Sequence, residues 1–304
     1  MLSTTKFLTA VKRVKAKLYR QDVEGFLDNL PIEPIFDLTV TSPPYDIGKP
    51  YEKRVPLGEY LDWQKGIIEK IVKRTKDTGS ICWQVGNYAE NGSIRPLDIE
   101  IAHVFYDLGL KLRNRIIWHF GHGMHAKQRF SGRYEVVLWF SKTDNYTFDL
   151  DAVRIPSKYP SKRYFKGAKK GQLSCNPLGK NPEDVWDIPN VVGNHMEKTI
   201  HPCQFPVGLV HRLVLALSKK GDLVFDPFAG AASTAVAALA AERLFVGTEI
   251  SKEYVRCARE RIRRAKAGLE PFRPANKPVY DHTKSNLSVM PEEFLKAQKG
   301  EDVN

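Results

Sequence analysis

The chain has 304 residues, with 47 Lys+Arg against 35 Asp+Glu and a formal net charge of +12. Apolar residues make up 42% of it, enough to build a sizeable core and to exclude a wholly disordered chain. No run approaches the ~18 consecutive apolar residues of a membrane span, and the basic opening segment lacks the apolar stretch and cleavage site of a secretory signal.

Phe36 to Thr41 reads as a short buried strand running into a Pro-Pro turn. Tyr60 to Lys73 carries Leu61, Ile67, Ile68, Ile71 and Val72 with charges between them, which predicts an amphipathic helix. Gly79–Val85 is a second strand, Ile99–Leu108 a helix, and Arg115–Phe120 and Glu135–Phe140 two further strands. From about Lys142 to Lys198 the chain is rich in Pro, Gly, Lys and Tyr without sustained periodicity. Regular structure resumes with a helix over Val207–Leu217, a strand over Asp222–Phe225, a small-residue helix over Ala231–Ala241 and a strand over Leu244–Glu249. Helix and strand alternate, so the expected class is α/β with a mostly parallel sheet. The chain divides into 1–141, an inserted irregular region 142–198, 199–268, and a polar, loosely packed tail 269–304. Cys82, Cys175, Cys203 and Cys257 form no CxxC pair; no disulfide framework or zinc site is expected, and a reducing cytoplasm is the expected location.

Two segments carry chemistry. Thr41-Ser42-Pro43-Pro44-Tyr45 follows a predicted strand, where α/β sheets place their sites. Consecutive prolines remove two N–H donors and leave nearby carbonyls free to accept. An exocyclic amine on a nucleobase is a poor nucleophile, and acceptors at Ser42 and the Pro43 carbonyl would favour a more pyramidal nitrogen. Tyr45 offers a face on which an extruded base can stack. The second segment, Asp226-Pro227-Phe228-Ala229-Gly230-Ala231-Ala232-Ser233-Thr234, turns from a strand into a helix, and Glu249 closes the next strand. Such a turn suits an adenosyl group: Gly230 permits close backbone approach and Glu249 can accept from ribose hydroxyls. Taken singly, each segment reads equally as an ordinary turn, the first a proline-rich surface turn and the second a tight turn of any α/β protein.

Together they resemble the amino-group DNA methyltransferases that use S-adenosyl-L-methionine, in which a (D/N/S)PPY motif contacts the target amine and an FxG-type motif binds the cofactor. The catalytic motif comes first here, with a basic stretch between, an order that resembles the family's β class. Tyr19-Arg20-Gln21-Asp22, Arg133-Tyr134-Glu135 through Lys142, Asp184–Pro189 and His201-Pro202-Cys203-Gln204-Phe205-Pro206 also resemble family segments, and the likeness runs over residues 18–265. It implies a Rossmann-like methyltransferase fold in circularly permuted order with an inserted target-recognition region. It implies Ser42, Pro43, Pro44 and Tyr45 as catalytic residues. It implies Asp22, Thr41, His201, Gln204, Pro206, Asp226, Phe228, Ala229, Gly230 and Glu249 around the cofactor. One departure stands out: family loops often continue Gly-Ser-Gly where this chain has Gly230-Ala231-Ala232, and a methyl at 232 would narrow the loop.

Between Lys158 and Lys180 there are Lys158, Lys162, Arg163, Lys166, Lys169, Lys170 and Lys180, no Asp or Glu, and Tyr159, Tyr164 and Phe165 interleaved. A charge run is more often a solvated face; at the family's target-recognition position, Lys158, Lys162, Arg163, Lys166, Lys169 and Lys170 are read as DNA contacts. Pro202-Cys203-Gln204 matches the nucleophile motif of carbon-5 cytosine methyltransferases, but the glycine motif lies downstream and no Glu-Asn-Val follows; Cys203 is read as a small buried residue of the cofactor pocket wall. His119, His122 and His125 are interrupted by Gly121 and Gly123 without a nearby carboxylate in sequence, so no metal is expected.

The implied function is site-specific methylation of double-stranded DNA at an exocyclic amine. Ser42 resembles the cytosine-N4 branch, with adenine-N6 the alternative and an inactive DNA-binding relative a third reading. Methylation of RNA or protein amides uses similar Pro-Pro-Tyr motifs, but in enzymes resembling the unpermuted order. A homodimer and a separately acting cognate restriction endonuclease are implied partners; a membrane is not.

Overall fold

The computed structural model describes residues 3–45, 55–90, 93–121, 123, 125–285, 288–291, 294 and 295. Helix α1 (Thr4–Val14) leads into strand β1 (Ala16–Arg20), helix α2 (Val23–Asp28), β2 (Phe36–Thr41), α3 (Leu57–Arg74) and β3 (Thr75–Val85). A hairpin of β4 (Asn87–Glu90) and β5 (Ser93–Pro96) precedes α4 (Leu97–Asp107), β6 (Lys111–His119) and β7 (Tyr134–Ser141). After a long irregular stretch holding β8 (Val185–Asp187) come α5 (Val207–Leu217), β9 (Leu223–Asp226), α6 (Ser233–Ala240), β10 (Leu244–Glu249) and α7 (Lys252–Lys266).

Eight strands form one sheet in the order β1-β10-β9-β2-β3-β7-β6-β8. β7 runs antiparallel to both neighbours, and every other pair is parallel. This is the mostly parallel α/β architecture expected. The two halves meet where β2 pairs with β9, Leu38 opposite Val224 and Thr39 opposite Phe225. That junction is also where the strand order reverses, the place where open α/β sheets leave a crevice at their carboxyl ends.

Both faces are covered, so β2 is buried along its whole length although its sequence alternates apolar and polar residues, with Asp37, Thr39 and Thr41 buried on the second face. One face packs on α1–α4, with Phe36 and Phe225 stacked at 4.3 Å. The other packs on α5, α6 and α7, where alanines of α6 allow close approach to α5.

Several elements escape the periodicity reading. At the N-terminus, Lys15 adopts φ 60° and breaks α1 from β1, so eleven helical residues and an edge strand share one basic segment. α7 presents Val255, Ala258 and Ile262 at helical spacing, but among so many charges that its apolar stripe is thin. The inserted region contributes β8 to the edge of the sheet through its pairing with β6. The tail is not loose at its start: Glu270 pairs with Arg261 at 2.8 Å, both side chains all but buried, and Phe272 and Ala275 pack against the core. A Cβ on Gly208 would lie 2.3 Å from the Arg273 carbonyl oxygen, so the tail crosses directly over α5.

Candidate active site

β2 ends at Thr41 and releases Ser42-Pro43-Pro44-Tyr45. On its flank β9 ends at Asp226 and turns through Gly230 into α6, and β10 ends at Glu249. These strand ends, with the start of α2 and the 201–205 turn, enclose a cavity of about 390 Å³. Its wall includes Ser42, Pro43, Pro44, Tyr45, Asp22, His201, Gln204, Phe228, Ala229, Gly230 and Glu249. Both sequence segments therefore face one space.

The glycine loop is held from beneath. Asp226 is wholly buried and does not line the cavity; its carboxylate accepts from Thr41 Oγ1 and Thr234 Oγ1, each at 2.6 Å, and from the Phe228 amide at 3.0 Å. Burial pushes its pKa up to about 6 against those hydrogen bonds. Asp226 and Thr41 are thus a buried clasp between β9 and β2 instead of wall residues. Glu249 accepts from the Gly230 amide at 2.9 Å and the Ser251 amide at 2.8 Å, and burial raises its pKa. The Ile250 amide is directed at it as well, and three backbone donors still leave the carboxylate acceptor capacity for one more. Gly230 sits at φ +48°, and a Cβ there would come 3.0 Å from His201 Nε2. The position therefore admits glycine on both conformational and steric grounds. Ala232 lies in the left-handed region (φ 62°, ψ 38°) as the N-cap of α6 and is fully buried outside the wall. Its methyl lies outside the cavity wall, and its left-handed backbone is strained for a residue other than glycine.

On the opposite wall, Ser42 Oγ lies 3.1 Å from Tyr45 Oη, and Tyr60 donates to the Pro44 carbonyl at 2.9 Å. Tyr45 Oη donates to Glu135 Oε2 at 3.4 Å, and Gln84 Nε2 donates to the same oxygen. Burial, reinforced by the charge of Glu135, raises the Tyr45 pKa well above its ordinary value. Phe228 packs against Trp63 and Trp83 with centroids 5.6 and 6.3 Å apart. Trp63, Gln84 and Glu135 line the cavity and were not singled out from sequence. Only Glu135 carried a signal, a lone carboxylate opening an otherwise apolar strand.

The remaining expectations divide. Gln204 is in the wall, but its amide is already engaged, accepting from Thr199 Oγ1 and donating to the Glu197 carbonyl, each at 2.8 Å. Pro206 caps α5 and stands outside the wall. Cys203 lines the cavity but is exposed, not buried, because it belongs to the turn after His201, whose Nδ1 accepts from its amide at 3.3 Å. Lys158, Lys162, Arg163, Lys166, Lys169 and Lys170 are exposed on a folded loop, closed by the Arg163–Leu173 bridge and the Ser174 amide donating to the Lys162 carbonyl at 2.9 Å. Phe165 is 90% exposed on that loop. His119 Nδ1 lies 2.6 Å from Asp187 of β8; His122 is outside the described residues.

Residues 36–260 match the N6/N4 DNA methylase family. The Type II methyltransferase M.BglII of Bacillus subtilis is 49% identical over 240 residues, 79% of this chain and 66% of that protein. The DNA adenine methyltransferase YhdJ of Escherichia coli K12 is 32% identical over 246 residues, 79% of this chain and 80% of that one. The fold is that of the PvuII cytosine-N4-specific DNA methyltransferase, with TM-score 0.65, 21% identity, and coverage of 86% of this chain and 96% of that one. A Thermus thermophilus protein solved in complex with S-adenosyl-L-methionine superposes with TM-score 0.61 at 26% identity, over 83% and 95% of the two chains. With matching residues running from β2 into α7, the chain belongs to the N6/N4 DNA methylase family.

Proposed function

We propose that the protein methylates the exocyclic N4 amine of cytosine at a specific site in double-stranded DNA. The observation that carries this reading is the convergence of Ser42-Pro43-Pro44-Tyr45 and the Phe228–Gly230/Glu249 loop on one cavity. The cofactor is S-adenosyl-L-methionine, which supplies an electrophilic sulfonium methyl group. The residues fit it: Gly230 keeps the loop open beside His201, and the Glu249 carboxylate faces the same space as Asp22, which accepts from the Gly25 amide at 2.7 Å as the cap of α2.

The chain's own part is positioning. Ser42 and the Pro43 carbonyl accept the two amine hydrogens and aim the nitrogen lone pair into the cavity, and Tyr45 flanks the extruded base. No thiolate attack on the ring is involved, since Cys203 and the glycine loop follow each other in the reverse of the order such chemistry uses. The basic loop around Lys158, Lys162, Arg163, Lys166, Lys169 and Lys170 is the proposed DNA contact, neutralising phosphates while Phe165 stacks or wedges. Ser42 supports cytosine over adenine because Asp or Asn is commoner there in adenine-N6 enzymes; the relationship to YhdJ makes adenine-N6 the second reading. A homodimer, a separate restriction endonuclease of the same specificity and a cytoplasmic location belong to this proposal. Among the described residues, no helix is long and apolar enough to cross a membrane.

The test is methylation with labelled S-adenosyl-L-methionine and mixed-sequence DNA, then mass spectrometry of the digested nucleosides. N4-methylcytosine is expected. N6-methyladenine would overturn the base and keep the reaction; cofactor binding without transfer, on DNA sampling every short site, would favour an inactive DNA-binding relative.

A further inference from the structure

Ser42 can serve an amine only through a lone pair on Oγ, yet a hydroxyl is donor and acceptor at once. Its neighbour Tyr45 Oη, 3.1 Å away, has the same ambiguity. The ambiguity ends one link further on, at Glu135 Oε2, 3.4 Å from Tyr45 Oη. An ionised carboxylate only accepts, so the Tyr45 proton is committed to Glu135. With its proton so engaged, the phenol oxygen is left to accept, from Ser42 and from Gln84, both of which hydrogen-bond to it, and the Ser42 lone pairs are left for the cavity.

The surrounding structure keeps this chain in place. β7, the reversed strand, opens at the same end of the sheet at which β3 finishes, with Val85 opposite Val136. This brings Glu135 beside Gln84, which donates to it. Gly86 lets the carboxylate and the ring approach: a Cβ there would lie 3.2 Å from both Glu135 Oε1 and Tyr45 Cε2. Tyr60 fixes the loop from behind through the Pro44 carbonyl. The raised pKa of Tyr45 keeps the phenol protonated, as the chain requires.

We infer that Glu135 is a positioning residue which, acting through Tyr45, holds the Ser42 hydroxyl as a hydrogen-bond acceptor toward the substrate amine. The inference rests on the methyl-transfer reading, and it applies to either amine. It separates the role of Ser42 from that of an Asp or Asn at the same place, whose carbonyl or carboxylate oxygen is an acceptor without any orienting partner.

The test compares steady-state methylation by the full chain with Glu135→Gln, Tyr45→Phe and the double variant, alongside calorimetric cofactor binding. Glutamine is isosteric but presents an amide that can donate toward the phenol. Glu135→Gln is expected to lower kcat about 10–100-fold while KM for DNA and cofactor Kd stay within about twofold. The double variant is expected to be no slower than Tyr45→Phe alone. Wild-type kcat in Glu135→Gln, a loss confined to DNA KM or cofactor Kd, or losses that multiply in the double variant would overturn the inference. If Tyr45→Phe is inactive, the Glu135→Gln result alone decides. A wild-type protein that binds cofactor but transfers no methyl group would instead defeat the proposed reaction, a different outcome from an active wild type indifferent to Glu135.

Discussion

Asp226 shows how a residue recognisable in a motif can have a different role in the molecule. Its carboxylate is spent on Thr41, Thr234 and the Phe228 amide, and burial holds its pKa at about 6, against ~3.9 in an unfolded chain. The folded state binds this proton more tightly, so the group stabilises the fold below about pH 4, and that contribution is lost as pH rises through about 6. The contribution is on the order of 3 kcal/mol. Asp226→Asn keeps an acceptor for the threonines and is expected to abolish that part of the pH dependence, read from urea midpoints between about pH 4 and 7. Ala232 supplies a second residue-scale test. Glycine there relieves ~1–2 kcal/mol of left-handed strain but removes a buried methyl contributing ~0.8 kcal/mol. Ala232→Gly should therefore shift stability by no more than about 1 kcal/mol and leave cofactor affinity within a few-fold; a large gain in affinity would bear out the narrowed-loop expectation.

At the scale of elements, the least visible connector is Glu197, in the irregular stretch before α5. It is 2% exposed, and its carboxylate accepts from the Val207 amide at the start of α5 at 2.8 Å and from the Arg273 amide of the tail at 2.9 Å. One side chain thus caps a helix beneath the cofactor wall and anchors the segment that crosses it. Glu197→Ala leaves two buried amides unpaired and is expected to cost ~2–4 kcal/mol, with limited chymotryptic cleavage after Phe272, which packs against the core, becoming faster than in the wild type. Nothing in the sequence marks this glutamate, because its partners lie 10 and 76 residues away and no periodicity links them. The long elements were legible for the opposite reason. α5 and β10 have the same bounds in sequence and structure, since their apolar spacing is local and answers to one packed face. α1, β1 and α7 were not, since thin stripes among many charges resemble a solvated surface.

For the whole molecule, the net charge of +12 includes the six exposed Lys and Arg residues between Lys158 and Lys170, a stretch without Asp or Glu. Lys169→Glu with Lys170→Glu is expected to weaken duplex binding at least tenfold and to reduce the slope of log affinity against log salt by roughly 2. Cofactor affinity, measured on the same variant, should not change. Affinity indifferent to that reversal would return the loop to an ordinary solvated surface. The sequence by itself determined the α/β class, the order of the halves and the two motif segments, because backbone-restricting prolines, a required glycine and apolar spacing are properties of neighbouring residues. Only the tertiary structure decided which motif residues reach the cavity and which lie beneath it, and that Gln84, Trp63 and Glu135 join them. Those assignments depend on β2 pairing with β9 and on β7 running backwards, contacts between residues far apart in the chain whose register no local pattern encodes.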